Sequence, residues 1–395
     1  MIRTTPFHSR TSPLCEAQNW RRWAGYFVVG SYELAHEREY WAIRNAAALI
    51  DITPLYKYRL TGPDACRLLN RIVTRDVSKC AVGQVMYTPW CDDDGKVIDD
   101  GTVSRLDEQT YRMTSADPGL LWLHDNALSL AVAIDDVSDT TAALALQGPS
   151  ARTILQQLCP APLDALKYFR LAQTALAGIP ATVSRTGYTG DLGYEIWLDA
   201  KDGVSAWDAL TATGDPYGLT PAGILALDIA RVEAGLIMID VDYTSARRAH
   251  IAAQKSSPLE LGLGWAVDWG KENFIGRKAL VEEKRRAPEW RLAGVEVDWV
   301  SLEEVYAQVG LHPQVPATAW RTSVPIYVEG VQVGYASSGC WSPILKKYIA
   351  LAHLRAGHAK PGTPVKMEVT VEHQRQQAAA TVAKLPFFDP QRKKA

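Results

Sequence analysis

The sequence predicts an α+β protein with more than one domain, and three observations lead to that expectation. The chain has 395 residues, 47% of them hydrophobic and 22% charged, so it can form a large core and is long for a single domain. Between residues 53 and 140, strand-like alternation is mixed with helical spacing, which is typical of antiparallel strands packed on helices. From about Arg291 onward the pattern indicates strands, so we expect a separate C-terminal β domain.

The first 140 residues contain two predicted helices and several predicted strands. Residues 38–50 are rich in helix formers, and the alternating segment after Asp51 predicts a strand that ends at the turn Gly62-Pro63. Residues 64–72 place their leucines and isoleucine on one side, which predicts a second helix. Further strands are predicted in residues 83–90, 95–106 and 111–115.

Later segments continue this mixture of elements. Residues 142–150 predict a strand, a turn and the start of a helix, and residues 181–200 predict two strands joined by a glycine-rich turn. A further helix is expected to begin with Thr220 as N-cap and Pro221 at its first position, and to end at Gly235. Residues 324–339 predict a hairpin whose turn is Glu329-Gly330.

Composition argues against several classes of function. The net charge of -2 and the pI near 6.5 provide no general basic field for nucleic acid or an anionic membrane. The N-terminal segment lacks the apolar core of a signal peptide, and no apolar run is long enough for a membrane span. The six cysteines form no CxxC pair and the histidines show no ligand spacing. We therefore expect a cytoplasmic protein with reduced thiols and no metal site, nucleic-acid partner or membrane partner.

An adjacent pair of carboxylates, Asp99 and Asp100, lies within the predicted strand GKVIDDGTVSRL. Successive strand residues point to opposite faces, so only one of the two can enter a given pocket unless the strand is bulged. The pattern does not tell which face is the core. From these residues alone, a solvated strand end with a bulge at Gly101 is the favoured interpretation, because ordinary carboxylates are mostly exposed.

Three glycines, Gly187, Gly190 and Gly193, resemble a nucleotide-binding loop at first sight. Their spacing is GxxGxxG and a strand follows them, whereas a phosphate site needs a helix N-terminus. A hairpin whose glycines supply positive φ is the simpler explanation. Glu195 shares a strand face with Trp197, and such a pair could hold a flat heterocycle with a ring N-H, although this stretch alone favours a carboxylate in water.

Eight motifs in order connect the chain to a known family. These are TGPDA (61–65), GQVMYTP (83–89), GKVIDD (95–100), ALQGPSA (145–151), SRTGYTGDLGYE (184–195), RVEAGL (231–236), SPLELGLGWAV (257–267) and FIGRKAL (274–280), with SGCWSPILKK (338–347) and AKLPFF (383–388) near the C-terminus. Together they resemble the aminomethyltransferase T-protein of the glycine cleavage system and its folate-dependent relatives. The resemblance covers nearly the whole chain.

The resemblance implies a fold. Members of this family are three-domain cloverleaves around a central channel for tetrahydrofolate. For this chain that implies a discontinuous folate-binding domain of residues 1–52 and 141–285, an α+β domain of residues 53–140 that carries the catalytic aspartate, and a C-terminal β-barrel or jelly-roll-like domain of residues 290–395.

The resemblance also implies site residues. The family's essential aspartate falls on Asp100, beside folate N5, where a carboxylate can stabilise positive charge on the nitrogen and help to remove its proton. Glu195 is the expected pterin-binding carboxylate. The further cofactor-binding residues are expected to be Tyr87, Tyr188, Arg231, Ser115 and Trp265, and tetrahydrofolate is the implied cofactor.

Departures from the glycine-cleavage pattern bear on the donor. The segments DITPL (51–55) and TSADP (114–118) differ from the family motifs, Leu227 stands where a folate-site arginine is expected, and the loop of residues 243–255 is longer. Such changes are similar to the family's demethylases, and thirteen tryptophans would suit an aromatic or cationic methyl donor, although most tryptophans simply pack in a core.

The leading expectation is therefore transfer of a methyl or methylene group from a small O-, S- or N-methylated substrate to N5. Glycine cleavage, with a lipoyl carrier protein as partner, is the alternative. A non-catalytic iron-sulfur assembly factor would need a cysteine in the motif of residues 185–195, which has none. A piece of a flavin-linked dehydrogenase would need a dinucleotide motif, which this chain also lacks.

Overall fold

The N-terminal part of the chain forms a small sheet and the first central strand. The structure is a computed structural model that describes residues 3–394. A three-stranded sheet has the order β1-β3-β2. The elements up to residue 51 are β1 (Arg3–Thr4), α1 (His8–Leu14), β2 (Asn19–Trp23), β3 (Tyr26–Ser31), α2 (Glu37–Asn45) and β4 (Ala47–Asp51).

A five-stranded sheet comes from the next segment. Its elements are β5 (Tyr56–Thr61), α3 (Ala65–Ile72), β6 (Gln84–Cys91), β7 (Val97–Arg105), β8 (Thr110–Ser115), α4 (Leu120–Asn126) and β9 (Ala133–Asp136), with the strand order β6-β7-β8-β5-β9. The predicted helix of residues 64–72 is confirmed, and Leu68, Leu69 and Ile72 are fully buried against the sheet. All four strand pairs are antiparallel, as the alternation predicted.

A six-stranded sheet combines β4 with strands from later in the chain. The elements are β10 (Thr141–Gln147), α5 (Ala151–Leu158), β11 (Leu171–Leu176), β12 (Ile179–Ser184), β13 (Gly193–Asp199), α6 (Gly203–Gly214), β14 (Leu219–Pro221), α7 (Ile224–Glu233) and α8 (Arg277–Arg286). The strand order is β11-β12-β13-β10-β4-β14. Helices α5 and α6 pack on one face and α2 and α7 on the other, so the central strands are apolar on both sides.

The C-terminal part is a closed barrel of six strands in the order β15-β18-β17-β16-β19-β20. Its elements are β15 (Trp290–Val297), α9 (Trp299–Ala307), β16 (Val324–Val328), β17 (Val331–Ser342), β18 (Lys347–Arg355), β19 (Pro364–Val371) and β20 (Gln374–Ala383). The predicted hairpin turn is confirmed, since Glu329 and Gly330 both have positive φ (49° and 80°), as a type I′ turn requires. The α+β class and the barrel are confirmed.

One predicted helix start is wrong. Thr220 and Pro221 lie in β14, which pairs in parallel with β4 at the edge of the six-stranded sheet, and α7 begins three residues after Pro221. A proline is tolerated there because an edge strand leaves one side of its backbone unpaired. The predicted end is right: Gly235 follows α7 with a φ of +66°.

Two further features concern the cysteines and the length of the helices. All six cysteines are free thiols, and five of them are buried. Across residues 3–394, no helix is both long and apolar enough to cross a membrane.

The division into domains remains a proposal. The five-stranded sheet lies within residues 53–140, the six-stranded sheet uses strands from residues 1–52 and 141–285, and the barrel lies within residues 290–395. Residues 1, 2 and 395 of these ranges are outside the described part of the chain.

Candidate active site

A cavity of about 1560 Å³ lies where the five-stranded sheet, the six-stranded sheet and the barrel approach one another. Among its lining residues are six of the seven predicted site residues, namely Asp100, Tyr87, Ser115, Tyr188, Glu195 and Trp265. The expected cofactor contact Arg231 is not among them. The cavity exceeds the roughly 300–1,000 Å³ of a typical small-ligand pocket, so it can hold a large ligand together with a second molecule.

Asp100 lies on β7 and is the member of the acidic pair that reaches the cavity. The Tyr87 hydroxyl donates to Asp100 Oδ2 at 2.8 Å, and the Tyr243 hydroxyl donates to Oδ1. Within residues 3–394 no lysine, arginine or histidine forms an ion pair with this carboxylate. Burial therefore raises the pKa of Asp100, and the two tyrosine hydrogen bonds oppose that rise only in part.

Asp99 is the structural member of the pair. Its side chain is buried and accepts hydrogen bonds from the backbone N-H groups of Asp100 at 2.8 Å and Asp117 at 2.9 Å. Burial and the neighbouring charge of Asp100 raise the pKa of Asp99 well above its usual range. Asp99 thus fixes the segment after β8, of which Asp117 also lines the cavity. The solvated strand end favoured by the residues alone is wrong.

Gly101 is needed for close strand packing. Its φ is not positive, and a Cβ at this position would lie 2.0 Å from the carbonyl oxygen of Thr114 on β8. The register shift in this strand pair lies instead opposite Trp90 and Cys91, before the aspartates. Thr114 Oγ1, in one of the segments that departs from the family pattern, lies 2.7 Å from Thr102 Oγ1.

The glycine-rich turn is shaped by a glutamine. A Cβ on Gly187 or Gly193 would approach the Gln147 side-chain oxygen to 2.1 or 2.2 Å, so the amide of Gln147 fits between them only because both lack a side chain. Of the three glycines only Gly190 has positive φ (+73°), which corrects the expectation that all three serve that purpose. The result is a rigid turn that leads into β13.

Glu195 and Trp197 share a face of β13 and both line the cavity, while Tyr194 and Ile196 point into the core. Thr186 Oγ1 donates to Glu195 Oε2 at 2.8 Å. Burial raises the pKa of Glu195, opposed by that hydrogen bond and by the charge of Arg112. The carboxylate in water favoured by this stretch alone is therefore wrong.

Arg112 was missed by the sequence reasoning. It lies on β8 with 6% of its surface exposed, and its guanidinium carbon is 4.1 Å from the centre of the Trp197 ring. It forms no ion pair within residues 3–394, and burial lowers its pKa to about 10. An arginine between the apolar residues Tyr111 and Met113 of the predicted strand TYRMTS was the available signal.

Arg231 lies behind the cavity wall. Its Nε donates to Asp228 at 2.7 Å, and its Nη1 pairs with Asp242. Asp242 also accepts from the hydroxyls of Ser337 and Ser338 on barrel strand β17, at 2.6 and 2.7 Å. Through these contacts Arg231 joins α7 to the barrel. Its Nη2 is buried and makes no hydrogen bond within residues 3–394, and the predicted role of Arg231 in cofactor binding stays a prediction.

Tyr188 and Trp265, two further predicted site residues, form part of the cavity wall and of its solvent-exposed edge. The Tyr188 hydroxyl donates to the carbonyl of Ile237, which fixes the ring at the cavity wall. Trp265 is 64% exposed and stacks on Tyr87, with ring centres 5.8 Å apart and planes at 23°. Trp265 therefore offers one aromatic face at the solvent side of the cavity.

The long loop of residues 243–255 contributes an ion-pair bridge. Arg248 Nη2 lies 2.7 Å from a carboxylate oxygen of both Asp117 and Asp240. Both aspartates line the cavity, and Asp240 and Arg248 are about half exposed. The bridge thus links the segment after β8 to the segment after α7 at an exposed edge of the cavity.

Comparisons with known proteins agree with one another. The family model described as the GCVT N-terminal domain matches residues 9–271, and the model of the glycine cleavage T-protein C-terminal barrel domain matches residues 307–389. An aminomethyltransferase of Halothermothrix orenii is 33% identical over 89% of this chain and 90% of its own length. An aminomethyltransferase of Halalkalibacterium halodurans is 34% identical over 89% of each chain.

Two further matches extend over nearly the whole chain. A trimethylamine-oxide aldolase of Ruegeria pomeroyi is 33% identical over 99% of this chain, which spans about half (48%) of that longer protein. The crystal structure of aminomethyltransferase T of the glycine cleavage system from Bartonella henselae has a TM-score of 0.83 and 22% identity, covering 98% of this chain and 99% of that one. This likeness shows the fold.

The family models together match well over half of the chain, and the relatives named above agree with them. The expectation of a tetrahydrofolate-dependent transferase, drawn from the ordered motifs, is confirmed. The chain therefore belongs to the glycine cleavage T-protein family of aminomethyltransferases.

Proposed function

We propose that this chain transfers the carbon of an aminomethyl thioether to tetrahydrofolate. Bonds from that carbon to N5 and N10 form, its bonds to nitrogen and sulfur break, and the products are 5,10-methylenetetrahydrofolate, ammonia and the free thiol. The relatives named aminomethyltransferase support this type of donor. The structural observation that carries the proposal is Asp100, a carboxylate that lines the cavity, is held by two tyrosine hydroxyls and has no ion-pair partner within residues 3–394.

The surroundings of Glu195 support placing the pterin ring of tetrahydrofolate at this end of the cavity. Only Oε2 of Glu195 accepts a hydrogen bond from residues 3–394, so Oε1 is available to an amino or ring N-H group of a ligand. Trp197 and Tyr188 supply aromatic surface beside this carboxylate. We assign the pterin ring to Glu195, with Tyr87, Ser115 and Trp265 as further wall contacts and Arg231 as an indirect support of the wall.

Tetrahydrofolate, when bound, supplies N5 as the atom that takes the one-carbon unit. Asp100 stabilises positive charge at that position and accepts the proton that must leave. Its charge is effective there because Asp100 is buried and no cation among residues 3–394 pairs with the carboxylate. Tyr87, which lines the same wall, holds one oxygen of the carboxylate in place.

The donor and partner follow from this proposal. An aminomethyl group is presented to such an enzyme on a lipoyl carrier protein, and that carrier is the proposed partner. The second candidate is removal of a methyl group from a small O-, S- or N-methylated substrate to give 5-methyltetrahydrofolate. One observation favours it: a protein named trimethylamine-oxide aldolase, a name that indicates a methylated nitrogen compound as substrate, matches 99% of this chain.

The experiment is to incubate the protein with tetrahydrofolate and each donor separately, and to identify the folate product by mass spectrometry. The donors are an aminomethylated lipoyl carrier protein, a methoxy-aromatic acid, a methylsulfonium compound and a methylated amine. 5,10-Methylenetetrahydrofolate and ammonia from the carrier support the proposal. 5-Methyltetrahydrofolate from a small donor, with none from the carrier, overturns it in favour of the second candidate.

A further inference from the structure

Tyr243 is a buried tyrosine that does not line the cavity. Its hydroxyl reaches the carboxylates of Asp99 and Asp100. It lies between α7 and α8, 143 residues after Asp100 in the sequence, and its side chain is 5% exposed. The hydroxyl donates to Asp100 Oδ1 and lies 3.5 Å from Asp99 Oδ1. In the sequence Tyr243 is the first residue of the longer loop, residues 243–255, and no motif marks it as a partner of Asp100.

Backbone hydrogen bonds fix the segment that carries Tyr243. The backbone N-H of Asp240 donates to the Tyr243 carbonyl at 2.8 Å, and the N-H of Ala246 donates to the carbonyl of Val97 on β7 at 2.8 Å. The same segment carries Asp240 to the cavity wall and Arg248 to its ion-pair bridge. Tyr243 therefore connects the wall formed after α7 to the strand that carries Asp100.

The two tyrosines on Asp100 divide its oxygens. Tyr87, from β6, takes Oδ2, and Tyr243 takes Oδ1. Tyr87 also lines the cavity and can meet a ligand directly, whereas Tyr243 does not line it and can act only through the carboxylate.

The two tyrosine hydroxyls are important for stabilising the ionised form of Asp100, because of the other groups that face this carboxylate. Asp99 lies beside it on β7, Asp242 is on the same segment as Tyr243, and the Tyr188 hydroxyl is on the opposite wall. The nearby guanidinium of Arg231 is paired with Asp228 and Asp242, and within residues 3–394 no cation pairs with Asp100. Hydroxyl donors are therefore what keeps the charged form of this carboxylate acceptable in a buried position.

We infer that Tyr243 is a positioning residue for the proposed reaction: its hydrogen bond keeps the Asp100 carboxylate ionised and holds it in the orientation that faces the cavity. The inference rests on the proposed role of Asp100, but it concerns the ligand-free protein as well.

The test is a carboxyl ¹³C NMR titration of the ligand-free protein with labelled aspartate, in which Asp100→Asn assigns the signal. Tyr243→Phe keeps the ring and removes the hydroxyl, so the acidic pair should titrate about one pH unit higher than in the unaltered protein. The matched control is Tyr327→Phe, whose hydroxyl donates to Glu368 at 3.0 Å on the barrel. That variant should leave the Asp99 and Asp100 signals unchanged.

An unchanged midpoint in Tyr243→Phe, or an equal change in both variants, overturns the inference. Where Tyr243→Phe does not fold, 3-fluorotyrosine at position 243 serves instead, because a more acidic hydroxyl should move the midpoint to lower pH. The acid limb of kcat/KM for folate-dependent transfer should follow the NMR midpoint. If no donor is turned over, the proposed function fails while the NMR result still decides the role of Tyr243.

Discussion

Two groups of buried carboxylates in this protein are stabilised in different ways. Glu233, on α7, accepts from the Arg44 guanidinium, from the Tyr40 hydroxyl at 2.6 Å and from the Ser342 hydroxyl at 2.6 Å, and both members of its ion pair are fully buried. Asp99 and Asp100 are also buried or nearly so, yet they are held by hydroxyl and backbone N-H groups alone among the described residues.

The difference separates a carboxylate that stabilises the fold from a carboxylate that is available to a ligand. A carboxylate paired with a buried arginine has its charge neutralised, and here Arg44 and Glu233 connect α2, α7 and barrel strand β17. A carboxylate without a cation keeps its charge available to a ligand, and burial raises its pKa. Asp100 alone of these carboxylates combines that environment with a place on the cavity wall near Glu195.

The largest expected effect is on catalysis at Asp100. Asp100→Asn should lower turnover roughly 10²- to 10⁴-fold, because the amide neither accepts the proton nor stabilises positive charge. Binding of tetrahydrofolate, measured by calorimetry, should largely persist, since the pterin contacts lie at Glu195. Asp135→Asn, in an exposed ion pair with Arg59, is the control and should turn over normally. An unimpaired Asp100→Asn variant would refute the assignment.

The next effect is on stability at the paired carboxylate. Arg44→Met should lower the free energy of unfolding by about 3–5 kcal/mol, because it leaves the Glu233 carboxylate buried without its cation. Urea unfolding followed by tryptophan fluorescence measures the change. Arg59→Met, which breaks an exposed pair with Asp135, should cost at most about 1 kcal/mol. Equal losses in the two variants would contradict the comparison.

A smaller, pH-dependent effect is expected at Glu195. Burial already raises its pKa, and the charge of Arg112 opposes that rise, so Arg112→Met should raise the pKa of Glu195 further. Since the ionised carboxylate is the form that accepts from a ligand N-H group at Oε1, the variant should lose affinity for tetrahydrofolate at a higher pH than the unaltered protein as the solution is acidified. Below the raised pKa, the Arg112→Met variant should bind tetrahydrofolate roughly tenfold more weakly than the unaltered protein at the same pH.

The measurement for Glu195 is the Kd of tetrahydrofolate as a function of pH. Arg105→Met is the matched control, because Arg105 also lies over an aromatic ring, 5.5 Å from the centre of Tyr111. Arg105 is not among the groups that act on Glu195. An identical pH profile for Arg112→Met and the unaltered protein would show that Arg112 does not support the pterin carboxylate.

The smallest expected effect is at the exposed edge of the cavity. Trp265→Ala removes a ring that is 64% exposed and stacked on Tyr87, so affinity for tetrahydrofolate should fall by about 1 kcal/mol or less, a factor of roughly five. Turnover at saturating tetrahydrofolate should change little. A loss of turnover as large as that of Asp100→Asn would place Trp265 in the chemistry and overturn its assignment as a wall contact.

The sequence by itself determined the features that depend on neighbours in the chain and on ordered motifs. Alternation in residues 53–140 and after Arg291 predicted the α+β class and the C-terminal strands, and the Glu329-Gly330 turn followed from its residue types. The two-residue period of a strand required that only one of Asp99 and Asp100 reach the cavity, and the family motifs selected Asp100.

Only the tertiary structure decided the surroundings of these residues. The hydroxyl of Tyr243 is 143 positions from Asp100, Arg112 meets Trp197 across two sheets, and Arg231 is held behind the wall by Asp242 and the barrel serines. Charge, burial and hydrogen bonding depend on which groups lie close together in the folded protein. Local sequence propensity contains no information about which distant residues those groups belong to. For the same reason Pro221 lies in an edge strand: pairing with β4 prevailed over a plausible helix start.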